Sequence, residues 1–258
     1  MKTTQNTMLI TGGGSGIGRG LAEAFHALGN QVIIAGRSSK SLDAATAANP
    51  GMKALTLDIA NVESIRALAE QVTANFPQLN VLINMAGVMM PERLLNPKDL
   101  STVAEDTIAT NLLGPIRLTA ALLPLLQKQP DAVIMNVSSG LAFVPLALTP
   151  TYSATKAAIH SYTQSLRYQL KDTSVQVLEL IPPYVQTGLM GARQANDPSA
   201  MPLEEYIAET MSILKSAPDA VEICVERVKP LRFAASSEDY ESFFKNFNDA
   251  LAAARSGE

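Results

Sequence analysis

The chain of 258 residues has little of several features that mark particular classes of protein. Its one cysteine, Cys224, cannot form an intrachain disulfide, which favours a cytoplasmic protein. It has no basic stretch, and its net charge of −4 argues against nucleic acid as the main partner. The N-terminus lacks a signal-like apolar region, and prolines or polar residues break the windows 112–126 and 132–148, so we expect no membrane span.

The sequence also lacks a spaced cluster of metal-ligating residues. His26 and His160 lie in helical patterns without ligand-like neighbours, so we expect no metal site. Ser/Gly tracts, charge runs and repeats that would mark a linker are missing too. Because 47% of the residues are apolar and 17% charged, residues 1–258 can form one α/β domain around a sizeable core.

A glycine-rich turn follows the first predicted strand, Met8 to Ile10. Gly12, Gly16 and Gly18 precede apolar residues at helical spacing up to Gly29, which ends the helix. A strand, a glycine turn and a helix N-terminus together form an anion site, because free backbone N–H groups and the helix dipole face a phosphate. Taken alone, this stretch could also be only a turn.

A second pattern combines a phenol, an ammonium and a hydroxyl. Tyr152 and Lys156 are four residues apart in the predicted helix 151–170, so their side chains lie one turn apart on one face. Ser139 ends the apolar run 132–139, which is typical of a buried strand. A free tyrosine titrates near pH ~10, and a nearby lysine would lower that pKa. The alternative is a Tyr and a Lys on a solvated helix face.

In order and spacing, these motifs resemble the short-chain dehydrogenase/reductase family over roughly residues 7–190. The Pro182-Pro183 pair is similar to a branch of DltE-like oxidoreductases. The resemblance implies a doubly wound, Rossmann-like parallel sheet with helices on both faces. It also implies four catalytic residues: Asn111, Ser139, Tyr152 and Lys156.

The resemblance further implies a nicotinamide dinucleotide cofactor. The end of the second strand carries Gly36 where NAD enzymes have a carboxylate, and the Arg37 that follows suits a 2′-phosphate. Arg37 could instead be an ordinary surface arginine, and Ser15 stands where the family often has a basic residue. We expect NADP(H) to be preferred, with NAD(H) possible. The implied cofactor residues are Gly12, Ser15, Gly16, Ile17, Gly18, Arg37, Asp58, Ile59, Asn84, Ala86, Gly87, Tyr152, Lys156, Pro182, Val185 and Thr187.

Three of these positions carry more specific expectations. Asp58 would lie beside the adenine, or would instead cap the helix that starts near Asn61. Asn84 would stabilise the central sheet, and Thr187 would contact the nicotinamide carboxamide. Pro115 cannot donate to the carbonyl of Asn111, which predicts a local kink. The family role of Asn111 is to hold a relay water there, although it could be an Asn at an ordinary proline kink.

The last third of the chain departs from the family pattern. Residues 188–216 predict a mobile substrate lid, and aromatic residues at helical spacing predict a terminal helix over about 238–254. We expect this helix to replace the family's seventh strand. Because many relatives form tetramers through that strand, we expect a homodimer, with a tetramer possible.

The leading functional hypothesis is an NADPH-dependent carbonyl reductase for an uncharged ketone or aldehyde, or for the corresponding alcohol. Tyr152 would protonate the substrate oxygen, Ser139 would hydrogen-bond it, and Lys156 would lower the pKa of the tyrosine. Leu141, Phe143, Val144, Met89, Met90, Tyr184 and Met190 predict an apolar pocket. The alternatives are a cofactor-binding scaffold without turnover, and a dehydrogenase that works in the oxidative direction.

Overall fold

A single parallel sheet of seven strands organises the computed structural model, which describes residues 1–95, 100–236 and 239–256. The strand order is β3-β2-β1-β4-β5-β6-β7, and every neighbouring pair is parallel. The strands are β1 (Thr7–Thr11), β2 (Gln31–Gly36), β3 (Lys53–Thr56), β4 (Val81–Asn84), β5 (Ala132–Val137), β6 (Val175–Leu180) and β7 (Glu222–Ile223). This arrangement confirms the predicted doubly wound fold.

Helices cover the sheet and connect its strands. They are α1 (Gly16–Ala27), α2 (Ser39–Ala48), α3 (Val62–Asn75), α4 (Leu100–Ile108), α5 (Gly114–Leu126), α6 (Pro150–Gln169), α7 (Ala192–Ala195), α8 (Leu203–Ser216), α9 (Lys229–Arg232) and α10 (Tyr240–Ser256). The apolar residues form two core clusters. In β1, Met8 and Ile10 belong to one cluster and Leu9 to the other, because successive side chains of a strand point to opposite faces.

The strand order reverses between β1 and β4, which are neighbours in the sheet. In open α/β sheets, the carboxyl ends of the strands at such a reversal border a crevice that binds ligands. The glycine turn follows β1 at this point, and Ser139 follows β5 on the same edge of the sheet. The topology therefore brings the motifs that are far apart in sequence to one crevice.

The expectation that the seventh strand is missing is wrong. Glu222 and Ile223 of β7 pair in parallel with Glu179 and Leu180 of β6. Two residues are too few to show the period-two pattern that predicts a strand. The predicted terminal helix is present as α10, whereas residue 238 lies outside the described residues. The Tyr240 hydroxyl donates to the backbone carbonyl of Phe143 at 3.1 Å, which ties α10 to the loop after β5.

The segment 188–216 contains two helices with different surroundings. Tyr206, Thr210 and Leu214 of α8 are buried, and two of them belong to a core cluster, so α8 is part of the packed body of the domain. Gly188 and Leu189, in contrast, line the crevice. The predicted motion of a lid over about 188–216 stays a prediction.

One helical run, Thr102–Leu126, is long and apolar enough to cross a membrane by length and composition. Pro115 and Pro124 were expected to break this region, whereas the helical run continues through both prolines. The expectation of no membrane span stays a prediction. Helices in protein cores pass the same test, and Leu118, Leu122 and Leu126 of this run are fully buried against the rest of the fold. Ile108 and Leu113 lie on its exposed side.

Candidate active site

Tyr152 and Lys156 lie in the first two turns of α6, and both side chains are buried. The ammonium of Lys156 lies 5.5 Å from the centre of the Tyr152 ring and donates to the Val137 carbonyl at 2.8 Å. The Ser139 hydroxyl, two residues after β5, hydrogen-bonds the Tyr152 phenol. Because both side chains are buried, the pair does not lie on a solvated helix face. A buried ammonium needs hydrogen-bond partners such as the Val137 carbonyl.

Burial shifts both titrating groups away from their ionised forms. It raises the pKa of Tyr152 to about 12, and the hydrogen bond from Ser139 only partly offsets this. Burial also lowers the pKa of Lys156 to about 8, against the opposing charge of Glu179. The expected lowering of the tyrosine pKa is thus wrong for the protein alone: the phenol keeps its proton.

Asn111 lies in a π-helical turn, Ala109–Leu113, between α4 and α5. The predicted kink takes this form, in keeping with the missing N–H donor of Pro115. The Asn111 amide is buried, accepts from the Val88 backbone N–H at 2.8 Å and donates to the Val88 carbonyl at 2.8 Å. It thereby fixes a segment of the crevice wall, and its role in holding a water stays a prediction.

A cavity of about 550 Å³ opens between the glycine turn and α6. Gly12 has φ +69°, and a Cβ built there would stand 3.0 Å from the Ala86 Cα. A Cβ built at Gly18 would stand 2.4 Å from the Gly12 carbonyl oxygen. Only glycine fits these two positions, and the residues at the start of α1 line the cavity, as close approach of a pyrophosphate to a helix N-terminus requires.

A smaller cavity of about 210 Å³ adjoins the first at Gly12 and continues past the end of β2. Gly36, Arg37 and Ser38 line it, and the Arg37 side chain is exposed. Together, the two cavities give a continuous crevice with a guanidinium at one end and the Tyr152 phenol at the other. Their residues fit a dinucleotide cofactor.

Most of the predicted cofactor residues line these cavities. The larger is lined by Gly12, Ser15, Gly16, Ile17, Gly18, Ala86, Gly87, Tyr152, Lys156, Pro182, Val185 and Thr187. Arg37 and Ile59 line the smaller.

Asp58 and Asn84 line neither cavity. The Asp58 carboxylate accepts from the Ala60 N–H at 3.1 Å, while the Asn84 amide donates to Asn136 at 2.8 Å and to Thr119 at 3.0 Å. The Asn84 bonds join β4 to β5 and α5, as expected of a residue that stabilises the sheet.

Gln194 is a site residue that the sequence did not reveal. Its buried amide donates to the Val185 carbonyl at 2.9 Å and to the Thr187 hydroxyl at 3.1 Å, and it accepts from the Met190 N–H at 3.0 Å. It therefore fixes Thr187 and closes the loop before α7. No sequence signal indicated it, because a glutamine in a polar loop is unremarkable.

Glu92 is a second such residue, and it caps the catalytic helix. Its buried carboxylate accepts from the Thr151 N–H at 2.9 Å and from the Thr151 hydroxyl at 2.7 Å, at the N-terminus of α6. A carboxylate is stabilised there by the helix dipole and by the free N–H groups. Glu92 thus joins the segment after β4 to the helix that carries Tyr152.

The expectation that His160 has no ligand-like neighbours is wrong. Among the described residues, His160, Glu179 and Glu222 place one ligand-type atom each within 4.8 Å of one another. Both Glu222 oxygens already accept from Arg232, at 2.7 and 2.9 Å, and this guanidinium disfavours a second cation. Part of the signal was visible in the sequence: Glu179 is a charged residue in a mostly apolar strand, where such residues are almost always paired, although the sequence did not show with which partner.

Comparisons with known proteins identify the family of the chain. Residues 6–198 match the family model described as short chain dehydrogenase. The chain is 42% identical over 251 residues, 96% of its length and 98% of the relative, to a Bacillus subtilis (strain 168) protein called "Uncharacterized oxidoreductase DltE".

Solved structures share the fold at lower identity. A short chain dehydrogenase from Burkholderia cenocepacia J2315 in complex with NADP has a TM-score of 0.80 at 24% identity, covering 95% of this chain and 98% of that one. A relative from Burkholderia phymatum in complex with NAD has a TM-score of 0.75 at 20% identity, covering 92% of each chain. From the family model and the Bacillus relative, the chain belongs to the short-chain dehydrogenase/reductase family of oxidoreductases.

Proposed function

We propose that the protein is an NADP(H)-dependent carbonyl reductase that interconverts an uncharged ketone or aldehyde and its alcohol. The observation that carries this proposal is the convergence of the Tyr152 phenol, the Ser139 hydroxyl and the Lys156 ammonium in one cavity. A bound nicotinamide cofactor would supply or accept the hydride. The residues of the chain would bind the substrate oxygen and move its proton.

Tyr152 suits the role of general acid in the reductive direction. Because burial holds its pKa near 12, the phenol carries a proton at neutral pH and can donate it to a carbonyl oxygen. The Ser139 oxygen accepts from the Leu141 N–H at 3.1 Å, and its hydrogen, now bonded to the Tyr152 phenol, can be exchanged onto a substrate oxygen that binds between the two groups. A substrate oxygen would therefore meet two O–H donors.

Support for NADP(H) comes from the end of β2. Gly36 leaves no carboxylate there, and Arg37 lines the smaller cavity as a partner for a 2′-phosphate. Of the two solved relatives above, one binds NADP and the other NAD. The preference for NADP(H) over NAD(H) is therefore a proposal that rests on Gly36 and Arg37.

An apolar substrate is supported by the wall of the larger cavity. Met89, Met90, Pro183 and Leu189 line it, and Lys156 is the only charged residue among the described lining residues. Of the seven residues that predicted an apolar pocket, only Met89 and Met90 are in this lining. The apolar residues that do line the cavity favour an uncharged carbonyl compound without phosphate or carboxylate groups as the substrate.

Kinetics of Tyr152→Phe test the proposal. The variant keeps the ring and removes the donor, so turnover of a ketone should fall ~10²–10⁴-fold. Tyr168→Phe is the matched control, because Tyr168 lies on the same helix with a 70% exposed side chain. Turnover of Tyr152→Phe within a few-fold of the parent would refute the assignment.

The competing function is a cofactor-binding scaffold without turnover, which would fold and bind NADPH in the same way. Cofactor oxidation measured over a panel of ketones separates the two hypotheses. NADPH binding without oxidation on any ketone supports the scaffold. The filled positions Asn111, Ser139, Tyr152 and Lys156 favour the enzyme.

We also propose a cytoplasmic homodimer, with neither nucleic acid nor membrane as a partner. Ile108 and Leu113 are exposed on the run between α4 and α5, and a two-fold contact with a second copy would cover them. Because β7 is present, the earlier reason for rejecting a tetramer no longer holds. Light scattering at micromolar concentration should give the dimer mass, and a stable tetramer mass would contradict the proposal.

A further inference from the structure

Three consecutive residues, Val137 at the end of β5 and the two serines that follow it, each contact a different partner. The Val137 carbonyl accepts from the Lys156 ammonium, and the Ser139 hydroxyl bonds the Tyr152 phenol. Between them, the Ser138 hydroxyl donates to Glu179 at 2.5 Å. Two of these contacts belong to the proposed catalytic residues, whereas the third leads to a carboxylate that the proposed reaction does not use.

Glu179 is fully buried in β6 and connects three elements of the site. Ser138 reaches it from β5, and His160 reaches it from α6, one turn after Lys156. The His160 Nδ1 lies 2.8 Å from one Glu179 oxygen and 3.0 Å from the other. This nitrogen faces both oxygens, so it carries the hydrogen and donates to the carboxylate.

Two other charged residues near Glu179, namely Glu222 and Arg232, form an ion pair with each other. Glu222 of β7 lies near His160 but gives both oxygens to Arg232 of α9. Arg167 of α6 acts on Glu222, and the nearby Cys224 thiol is kept neutral because burial raises its pKa to about 11. Glu179 is thus left as the opposing charge that acts on Lys156.

Burial without a counter-charge would force a lysine to lose its proton. We propose that Glu179, held by Ser138 and His160, is the buried counter-charge that keeps Lys156 in its ammonium form. Glu179 is then a positioning residue of the active site, and its importance for turnover rests on the proposed function. His160 adds to this by fixing the carboxylate, and when protonated it shares the carboxylate's charge and weakens its effect on Lys156.

Titration of Lys156 by NMR tests this without any turnover. Full-length protein carrying lysine labelled with ¹³C at Cε is titrated, and the Lys156 signal is identified by its loss in Lys156→Arg. Glu179→Gln keeps the shape and removes the charge, so the Lys156 midpoint should fall by about one unit or more. Glu222→Gln is the matched control, and its midpoint should stay within a few tenths of a unit of the parent, because Arg232 already neutralises that carboxylate.

His160→Asn distinguishes a charge effect from a packing effect. Its amide nitrogen can replace Nδ1 as the donor but cannot become a cation, so the Lys156 midpoint should stay at or above that of the parent. A role in packing alone would move the midpoint in the same direction in Glu179→Gln and His160→Asn. Near-UV circular dichroism checks the fold of each variant, and a lowered midpoint in His160→Asn overturns the inference even if Glu179→Gln does not fold.

The outcomes separate this inference from the proposed function. A Lys156 midpoint in Glu179→Gln equal to that of the parent overturns it, and so does a lowered midpoint in His160→Asn. If the enzyme turns over, the alkaline limb of its kcat/KM profile should move down in Glu179→Gln by the same amount as the midpoint. If the parent turns over no ketone, the proposed function fails, while the titration still decides whether Glu179 holds the charge of Lys156.

Discussion

Two regions border the same crevice and are held together by different forces. The glycine turn after β1 depends on backbone geometry. Gly12 and Gly18 have no side chains, so one stretch of backbone can approach another closely there. The network behind Lys156 uses charge and hydrogen bonds between side chains. Its members come from five elements: Ser138 after β5, His160 in α6, Glu179 in β6, Glu222 in β7 and Arg232 in α9.

Because of this difference, the two parts of the site are sensitive to different kinds of substitution. The turn and the end of β2 depend on steric space, so a substitution that fits the space can change ligand choice without changing the fold. The network depends on pairs, so removal of one partner leaves a buried or half-buried charge uncompensated. We therefore expect changes in the first region to act on cofactor choice and changes in the second to act on stability and on titration.

The largest effect among the remaining predictions belongs to the first region. A Cβ built at Gly36 meets no heavy atom nearer than the Leu42 Cδ2 at 3.9 Å, so an aspartate fits there. In Gly36→Asp, a carboxylate would repel the 2′-phosphate. The ratio of kcat/KM for NADPH to kcat/KM for NADH should fall by on the order of ten-fold or more.

Gly36→Ala is the control for this prediction, because it adds the carbon without the charge and should leave the ratio nearly unchanged. Equal kcat/KM for both cofactors in the parent would contradict the preference itself. A fall in Gly36→Ala as large as that in Gly36→Asp would show that shape, and not charge, decides the choice.

The two regions also differ in how far the sequence predicts them. The turn is contiguous, so Gly12 to Gly18 and the apolar strand before it indicate an anion site directly. Tyr152 and Lys156 are likewise one helical turn apart, and the predicted helix places them together. The partners of His160 could not be predicted in the same way, because Glu179 and Glu222 are brought to it by strand pairing between β6 and β7. Residues so distant in sequence become neighbours only in the folded sheet.

The pKa values show the same limit. Four-residue spacing predicts that Lys156 lowers the pKa of Tyr152, yet burial raises it to about 12. The extent of burial depends on the strands and loops that cover α6, and the spacing of two residues in the sequence gives no information about these. Strand β7 was missed for a related reason, since it is defined by its pairing with β6 and has no pattern of its own.

The smallest effect concerns the edge of the network, where Arg232→Met should lower stability. The guanidinium holds Glu222 and lies 4.5 Å from the centre of the Phe143 ring, whereas methionine keeps the apolar contact and loses the charge. The expected loss is about 1 kcal/mol, because both side chains are only about one-fifth exposed. At this chain length, the melting temperature should fall by about 2–4 °C. Lys245→Met is the control: its pair with Asp249 is well exposed, so its loss should change little.

The pH dependence of that loss identifies its cause. The hydrogen bond from Arg232 lowers the pKa of Glu222 below its ordinary value of 4.5. A group with a lowered pKa in the folded protein stabilises the fold fully above its unfolded pKa and loses this contribution as pH falls through the folded pKa. The difference in melting temperature between the parent and Arg232→Met should therefore be constant between about pH 5 and 7 and should shrink at lower pH. A difference that persists unchanged in acid would assign the stabilisation to packing on Phe143, and Glu222 would no longer count as a charge that this region must pair.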